Sequence, residues 1–156
     1  MEQNSKKIEA VNLFREGYNC AQSVVVAFHN ECGMSKEMAE SIAAPFGAGI
    51  GRQREVCGAV SGMCLVLGAT SHFDSNEKRE GRATIYATTQ ELCAEFKAAH
   101  GSIVCREILK GGASTYPMPE ERTVEYYAKR PCERCVEDAA GLIANFLEQN
   151  KRSQNI

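Results

Sequence analysis

Eight cysteines in a chain of 156 residues are the side chains best suited to do chemistry. On the helices that the sequence predicts, five of them fall in a first helical turn, namely Cys20, Cys57, Cys105, Cys132 and Cys135. A first turn presents free backbone N–H groups and the positive end of the helix dipole, and both favour a thiolate over a thiol. We therefore expect these cysteines to be reactive thiols that serve redox chemistry or metal ligation.

The other three cysteines, Cys32, Cys64 and Cys93, lie at a helix end or inside predicted helices. A buried free cysteine is commonly an inert, small apolar residue, so we expect a structural role for each. Cys64 follows Cys57 by seven residues on one predicted helix, which places them about 10.5 Å apart along its axis. These two cysteines cannot form a disulfide with each other.

The glycine-rich stretch GAGIGRQREVCG leads directly into Cys57. GAGIG resembles a dinucleotide fingerprint, but no strand precedes it and no βαβ pattern surrounds it, which argues against nucleotide binding. We expect Gly47, Gly49 and Gly51 to let the backbone turn tightly and approach whatever Cys57 binds. Gly58 is expected to let another helix pack closely. Close packing alone is the alternative interpretation of these glycines.

Other patterns around the cysteines carry less information. Cys132 and Cys135 have the C-x-x-C spacing that can chelate a metal or cycle as a dithiol. No histidine follows this pair, so it is not a haem-attachment site. His29, His72 and His100 lack metal-type spacing and are interpreted as surface or helix-end residues.

Two arginines near Cys57 could make its surroundings more positive. Arg52 and Arg54 precede Cys57 and would add positive charge near its sulfur if their side chains turn that way.

The net charge of the chain bears on its partners. The net charge is -2 and no long basic run occurs, so neither nucleic acid nor a membrane surface is an expected partner. We expect a redox partner protein or a small-molecule oxidant instead.

The N-terminal sequence MEQNSKKIEAV has no apolar stretch behind its lysines, and no window approaches the roughly 18 apolar residues of a membrane span. These features predict a cytoplasmic protein. In a reducing compartment the cysteines should be mostly thiols, which favours metal ligation, redox chemistry or burial over a disulfide framework.

Helical spacing of apolar residues recurs along the chain, and alternating runs rich in Val, Ile and Thr are nearly absent. The sequence therefore predicts an all-α fold, a single-domain helical bundle of about six to eight helices over residues 1–156. Its core should span about residues 5–149, with a frayed polar tail at 150–156. Helix starts are predicted at Ser5, at Asn19 with Gln22 as a capping box, at Ser35, Glu55, Asp74 or Ser75, Ser102, Pro119 and Pro131.

Four segments carry a family resemblance. YNCAQSVVVAF around Cys20, GAGIG followed by CGAVSG at Cys57, GSIVCREIL at Cys105 and CVEDAAGLI from Cys135 resemble, in order and spacing, the C_GCAxxG_C_C family of redox-active proteins. The resemblance covers roughly residues 18–147 and implies a small helical protein in which these four cysteines form the site. The same pattern is similar to the iron–sulfur domain of split-Soret cytochromes. Haem is not implied, because the chain has no C-x-x-C-H.

Three functions remain open at this point. The four cysteines converge on an iron–sulfur cluster, [2Fe–2S] being the type considered first, for electron transfer or redox sensing. Alternatively, the protein is a metal-free thiol–disulfide oxidoreductase in which Cys57 attacks and Cys20, Cys105 or Cys135 resolves. In the third hypothesis the cysteines hold structural zinc or only pack, and the protein works through an interaction surface. Zinc is less favoured because close C-x-x-C pairs are usual and the chain has one.

Two further expectations accompany these hypotheses. Cys132 is not one of the positions that the family resemblance implies, so it is a secondary site candidate. The closely packing glycines and the apolar share of the sequence are compatible with a homodimer.

Overall fold

The structure is a computed structural model that describes residues 2–71, 77–111 and 113–154. Within these residues the chain is helical and forms no strand, which confirms the predicted all-α fold. The helices are α1 (Glu2–Arg15), α2 (Cys20–Ala27), α3 (Lys36–Ala43), α4 (Gly58–Thr70), α5 (Lys78–His100), α6 (Cys105–Ile108), α7 (Val124–Lys129) and α8 (Cys132–Gln154).

Between α3 and α4 the chain makes a short 3-10 turn, Ala44–Phe46, and then a tight turn, Gly47–Ile50. Ala48 and Gly49 have φ values of 54° and 72°, so this second turn is left-handed and is not part of a regular helix.

One hydrophobic core joins the long helices. Helices α1, α2, α4 and α8 pack against one another, and α5 lies against α4 and α8. Fully buried side chains from four of these helices meet in the core, among them Val24, Met63, Phe96 and Ile143. The cysteine-bearing starts of α2, α4 and α8 are therefore held by the packing of the helices behind them.

Helices α2 and α3 have the N-terminal caps that were predicted from the sequence. The Asn19 side chain accepts a hydrogen bond from the Gln22 backbone N–H, and the Gln22 side chain accepts one from the Asn19 N–H. Ser35 likewise accepts from the Met38 N–H. The capping box fixes Cys20 as the first residue of α2.

The predicted start of α4 at Glu55 is wrong. Residues 55–57 run antiparallel to residues 103–105 instead, with an isolated bridge between Val56 and Val104. The Cys57 N–H donates to the Ile103 carbonyl, and the Cys105 N–H donates to the Glu55 carbonyl. These bonds hold the backbone extended, so Cys57 is the residue that precedes α4 and not part of its first turn.

Other helix bounds also differ from the sequence-based prediction. Helix α1 begins at Glu2 and not at Ser5. No helix starts at Pro119; α7 begins later, where the Thr123 side chain accepts from the Tyr126 N–H. Helix α8 continues to Gln154, so the expected polar tail is helical through that residue. The predicted features at Asp74, Ser75 and His72 lie outside the described residues.

In the part of the chain that the structure describes, no helix has the length and apolar character needed to span a membrane.

Candidate functional site

Five cysteines line one cavity of about 390 Å³. Cys20 begins α2, Cys57 precedes α4, Cys105 begins α6, and Cys132 and Cys135 lie in the first turn of α8. The cavity thus brings together the four cysteines singled out from the sequence and the secondary candidate Cys132.

Glycines let the loop between α3 and α4 approach these thiols. Gly49 and Gly51 have positive φ values of 72° and 58°, as the predicted tight turn requires. A Cβ atom on Gly49 would lie 2.6 Å from the Cα of Arg54, so the loop could not close with a side chain there. A Cβ atom on Gly58 would overlap the sulfur of Cys20. Gly58 therefore makes room for a thiol, beyond the helix packing expected of it.

Cys57 and Cys135 form a buried, hydrogen-bonded pair, with 7% and 1% of their surfaces exposed. This hydrogen bond and burial raise the pKa of Cys57 well above its ordinary value. The backbone N–H groups of Val60 and Ala59, at the start of α4, lower the same pKa by a smaller amount. The helix terminus acts on Cys57 in the expected direction, but the neighbouring thiol and the loss of solvent outweigh it.

The other cavity thiols are held neutral in the same way. Burial raises the pKa of Cys20 to about 11 and that of Cys132 to about 12. Burial also raises the pKa of Cys105, against the lowering effect of the Arg54 guanidinium. The prediction that helix starts would make these thiols readily ionised is wrong, because desolvation dominates.

Arg54 is a charged side chain buried in the wall of this cavity, with 4% of its surface exposed. Its Nε donates to the Ser114 carbonyl at 3.1 Å, and its Nη1 lies 3.8 Å from the sulfur of Cys105. Its Nη2 has no hydrogen-bond acceptor among the residues that the structure describes. An unpaired donor on a buried guanidinium is costly, so a hydrogen-bond acceptor bound in the cavity would stabilise this arginine.

His100 was missed as a site residue. Its Nδ1 lies 3.8 Å from the sulfur of Cys135, and its Nε2 lies 2.8 Å from Oδ2 of Asp138. His100 is the last residue of α5, as expected of a helix-end residue, and its ring packs on Phe96. Cys135 and Asp138 stand three apart on α8, a spacing that places both on one helix face. This spacing was the available sequence signal.

Aromatic and arginine side chains close the cavity on the side of α7. The Arg122 guanidinium donates to the carbonyls of Phe14 and Tyr18 and stacks on the Tyr126 ring at 5.0 Å. Arg130 lies over the same ring at 4.8 Å and pairs with Glu120. None of these residues was predicted from the sequence as a site residue.

The three cysteines predicted to be structural do not line this cavity. Cys64 lies in α4, Cys93 lies in α5, and Cys32 lies between α2 and α3.

The cavity presents cysteine sulfur, the ligand type of iron–sulfur clusters, from four separate segments of the chain. Within residues 2–71, 77–111 and 113–154, no three His, Cys, Asp or Glu side chains close on one point in the way a mononuclear metal requires. Five thiols surround a larger space instead, together with backbone N–H groups and the unpaired Nη2 of Arg54. A polynuclear anionic group would fill this space and would accept hydrogen bonds from these donors.

Comparison with known proteins identifies a family for the chain. The family described as "Putative redox-active protein (C_GCAxxG_C_C)" matches residues 18–146, a span that includes all eight cysteines. Neither the curated proteins nor the solved structures contain a match to the chain. Because the family match covers most of its length, the chain belongs to the C_GCAxxG_C_C family of redox-active proteins.

Proposed function

We propose that the protein transfers or senses electrons through an iron–sulfur cluster held by Cys20, Cys57, Cys105 and Cys135. The observation that carries this proposal is that thiols from four separated segments line one cavity. Cysteine thiolates are the usual ligands of such clusters, which supply electron-transfer chemistry when bound. A [2Fe–2S] cluster is the type we propose first.

The size of the cavity supports a cluster over zinc. Thiolate sulfur approaches zinc to about 2.3 Å, so four zinc ligands would meet around a single point. The cysteines instead share the lining of a cavity of about 390 Å³ with many other residues. Structural zinc is therefore the less favoured hypothesis.

The raised pKa values also favour ligation over free-thiol chemistry. A coordinating metal deprotonates a thiol outright, so a high pKa in the metal-free protein does not prevent binding. The same high pKa leaves Cys57 almost wholly protonated near neutral pH, which makes it a weak nucleophile.

Side chains beside the cysteines would tune the site. Arg54 would place positive charge and its unpaired Nη2 donor next to the sulfur of Cys105. His100, oriented by Asp138, would place an imidazole nitrogen next to Cys135. Hydrogen bonds and charge at ligand sulfurs set the reduction potential of iron–sulfur sites.

A metal-free dithiol is the second candidate, because Cys57 and Cys135 are already hydrogen-bonded to each other. Oxidation would join their sulfurs, release two protons and pass two electrons to an oxidised partner protein or a disulfide oxidant. His100 is placed to accept the proton of Cys135. The two candidates share residues but differ in metal content.

The first test is an ultraviolet–visible spectrum with iron, sulfide and zinc analysis of protein purified without oxygen. Visible charge-transfer bands with stoichiometric iron and sulfide are the expected result. Colourless protein that loses two thiols reversibly on oxidation would select the dithiol. Zinc without a redox response would overturn both redox proposals.

Two substitutions locate the site. Cys57→Ser should abolish the bands or the reversible thiol change, because it removes a central sulfur of the cavity. Cys64→Ser, inside α4 but outside the cavity, is the matched control and should retain both signals. Equal losses in the two variants would contradict the assignment.

A further inference from the structure

Positive charge accumulates in the wall of the cavity. Four arginines line it, namely Arg52, Arg54, Arg122 and Arg130, and among the described lining residues Glu120 is the one carboxylate. Glu120 pairs with Arg130, and one of its carboxylate oxygens lies 3.7 Å from Nη2 of Arg52. The wall therefore carries more positive charge than its own carboxylate can balance.

These guanidinium groups are largely removed from solvent. Arg54 is 4% exposed, and the side chains of Arg52 and Arg130 are 12% and 19% exposed. Arg122 donates to two backbone carbonyls, which occupy N–H groups of its guanidinium without cancelling its charge. Burying a charge without a counter-charge costs free energy, so an anion in the cavity would stabilise the folded protein.

Two of the four arginines meet at one oxygen atom. Nε of Arg54 donates to the Ser114 carbonyl at 3.1 Å, and Nη2 of Arg52 lies 3.5 Å from the same carbonyl oxygen. Two like charges are thus held close together at a single neutral acceptor. Their mutual repulsion is stronger at the low dielectric of a buried site than in water, and an anion bound to both groups would offset it.

The same two guanidinium groups have donors open to a ligand. Nη1 of Arg54 faces the Cys105 sulfur at 3.8 Å, whereas Nη2 of Arg54 is buried and has no acceptor among the residues that the structure describes. The contacts of Arg52 Nη2 with Ser114 and Glu120, at 3.5 Å and 3.7 Å, are long for hydrogen bonds. Both nitrogens can therefore donate to a ligand that brings its own acceptor atoms.

We propose that the arginine-lined side of the cavity binds a small oxyanion, which accepts hydrogen bonds from Nη2 of Arg54 and Nη2 of Arg52 beside the sulfur of Cys105. An oxyanion carries several acceptor oxygens on one charged group and can therefore bridge two guanidinium groups. The cavity volume of about 390 Å³ falls within the roughly 300–1,000 Å³ of small-molecule sites. Inorganic phosphate and the carboxylate of a small organic acid share this chemistry.

Anion binding at this site does not require the proposed cluster, because the donors belong to the chain itself. With a cluster bound, the oxyanion would lie beside one ligand sulfur, in the position of a substrate or effector of the redox site. That role rests on the proposed function, whereas the binding of the anion does not.

The test is isothermal titration calorimetry of the full chain, purified without oxygen and with its iron content measured, against sodium phosphate and separately against sodium acetate. Sodium chloride keeps the ionic strength constant, so that general screening stays the same throughout each titration. We expect saturable binding of at least one probe with a Kd of about 1 mM or tighter. The tighter probe identifies the ligand as a free inorganic oxyanion or an organic carboxylate.

Three variants locate the binding site. Arg54→Gln removes the unpaired donor and should weaken binding of the tighter probe about 10-fold or more. Arg52→Gln should weaken it by roughly 3- to 10-fold, and it keeps the test decisive if Arg54→Gln fails to fold. Arg106→Gln is the matched control, because it removes the same charge at an exposed position, and it should bind like the unchanged chain.

Either of two results would overturn the proposal. One is that neither probe binds, and the other is that Arg54→Gln and Arg52→Gln bind no more weakly than Arg106→Gln. The iron content of the same samples reports on the cluster separately. Iron-free protein that binds a probe at Arg54 would retain this proposal and contradict the cluster, and iron-loaded protein that binds neither probe would do the reverse.

Discussion

The cavity thiol of Cys57 and the thiol of Cys93, in the interior of α5, show opposite pKa shifts within the same chain. Cys57, at the start of a helix, has a raised pKa, whereas Cys93, in the interior of a helix, has a pKa lowered to about 7. Position on a helix would predict the reverse. The difference shows that desolvation and a hydrogen-bonding neighbour decide the ionisation of these thiols, and that the helix dipole makes the smaller contribution.

The contrast also separates two kinds of sulfur chemistry. Buried neutral thiols around a cavity are suited to a metal that removes their protons on binding. A less buried thiol whose pKa lies near 7, such as Cys93, is suited to exchange with a soluble oxidant.

Crowding at Cys20 gives the largest expected effect. In Gly58→Ala the new methyl group would overlap the Cys20 sulfur, so the variant should lose the iron or thiol signal of the cavity and about 1–3 kcal/mol of unfolding free energy. Gly68→Ala, on the same helix, meets no atom within 4 Å and should stabilise the protein by roughly 0.5–1 kcal/mol. Iron analysis and urea unfolding measure both. Equal iron content and equal unfolding free energy in the two variants would contradict the close approach of Gly58 to the Cys20 sulfur.

Thiol reactivity gives the next largest effect. At pH 7 in metal-free protein, Cys93 should react with iodoacetamide about 100-fold faster than Cys32, whose pKa is raised to about 11 by burial. The Cys93 rate should rise through about pH 7, and the Cys57 rate should rise only above pH 9 because its pKa is raised. Mass spectrometry of timed aliquots gives each rate. A Cys57 rate equal to that of Cys93 at pH 7 would remove the contrast.

The unfolding free energy of the metal-free protein should fall as the pH rises, because the pKa values of buried thiols are raised. Thiols such as Cys20 and Cys132 have folded pKa values of about 11 and 12, above their unfolded values near 8.5. Between these values the folded chain binds more protons, so their stabilisation is complete below about pH 8 and is lost as the pH rises. Each thiol changes the slope by at most about 1.4 kcal/mol per pH unit. Urea unfolding from pH 7 to 10 measures this slope, which Cys20→Ser should reduce.

The fold could be predicted from the sequence to a greater extent than the contacts of the candidate site. Apolar spacing and caps such as Asn19 with Gln22 act locally, so the all-α class and the start of α2 could be predicted. The extended pairing of residues 55–57 with 103–105 joins segments far apart in the chain, and local rules assigned a helix start there. The contact of His100 with Cys135 is likewise a product of helix packing: the spacing of Cys135 and Asp138 places both on one face of α8 but does not tell which side chain meets that face.

Arg54 provides the finest test of what controls a cavity thiol. Its guanidinium lies 3.8 Å from the Cys105 sulfur and lowers a pKa that burial raises. Arg54→Gln removes that charge, so the metal-free variant should show Cys105 alkylation that is slower by roughly 2- to 10-fold near pH 8, with its midpoint moved to higher pH. Arg106→Gln is the matched control, because Arg106 is exposed and pairs with Glu55 at the surface. If both variants slow Cys105 equally, the effect comes from net charge; if only Arg54→Gln does so, one buried contact sets the ionisation of this thiol.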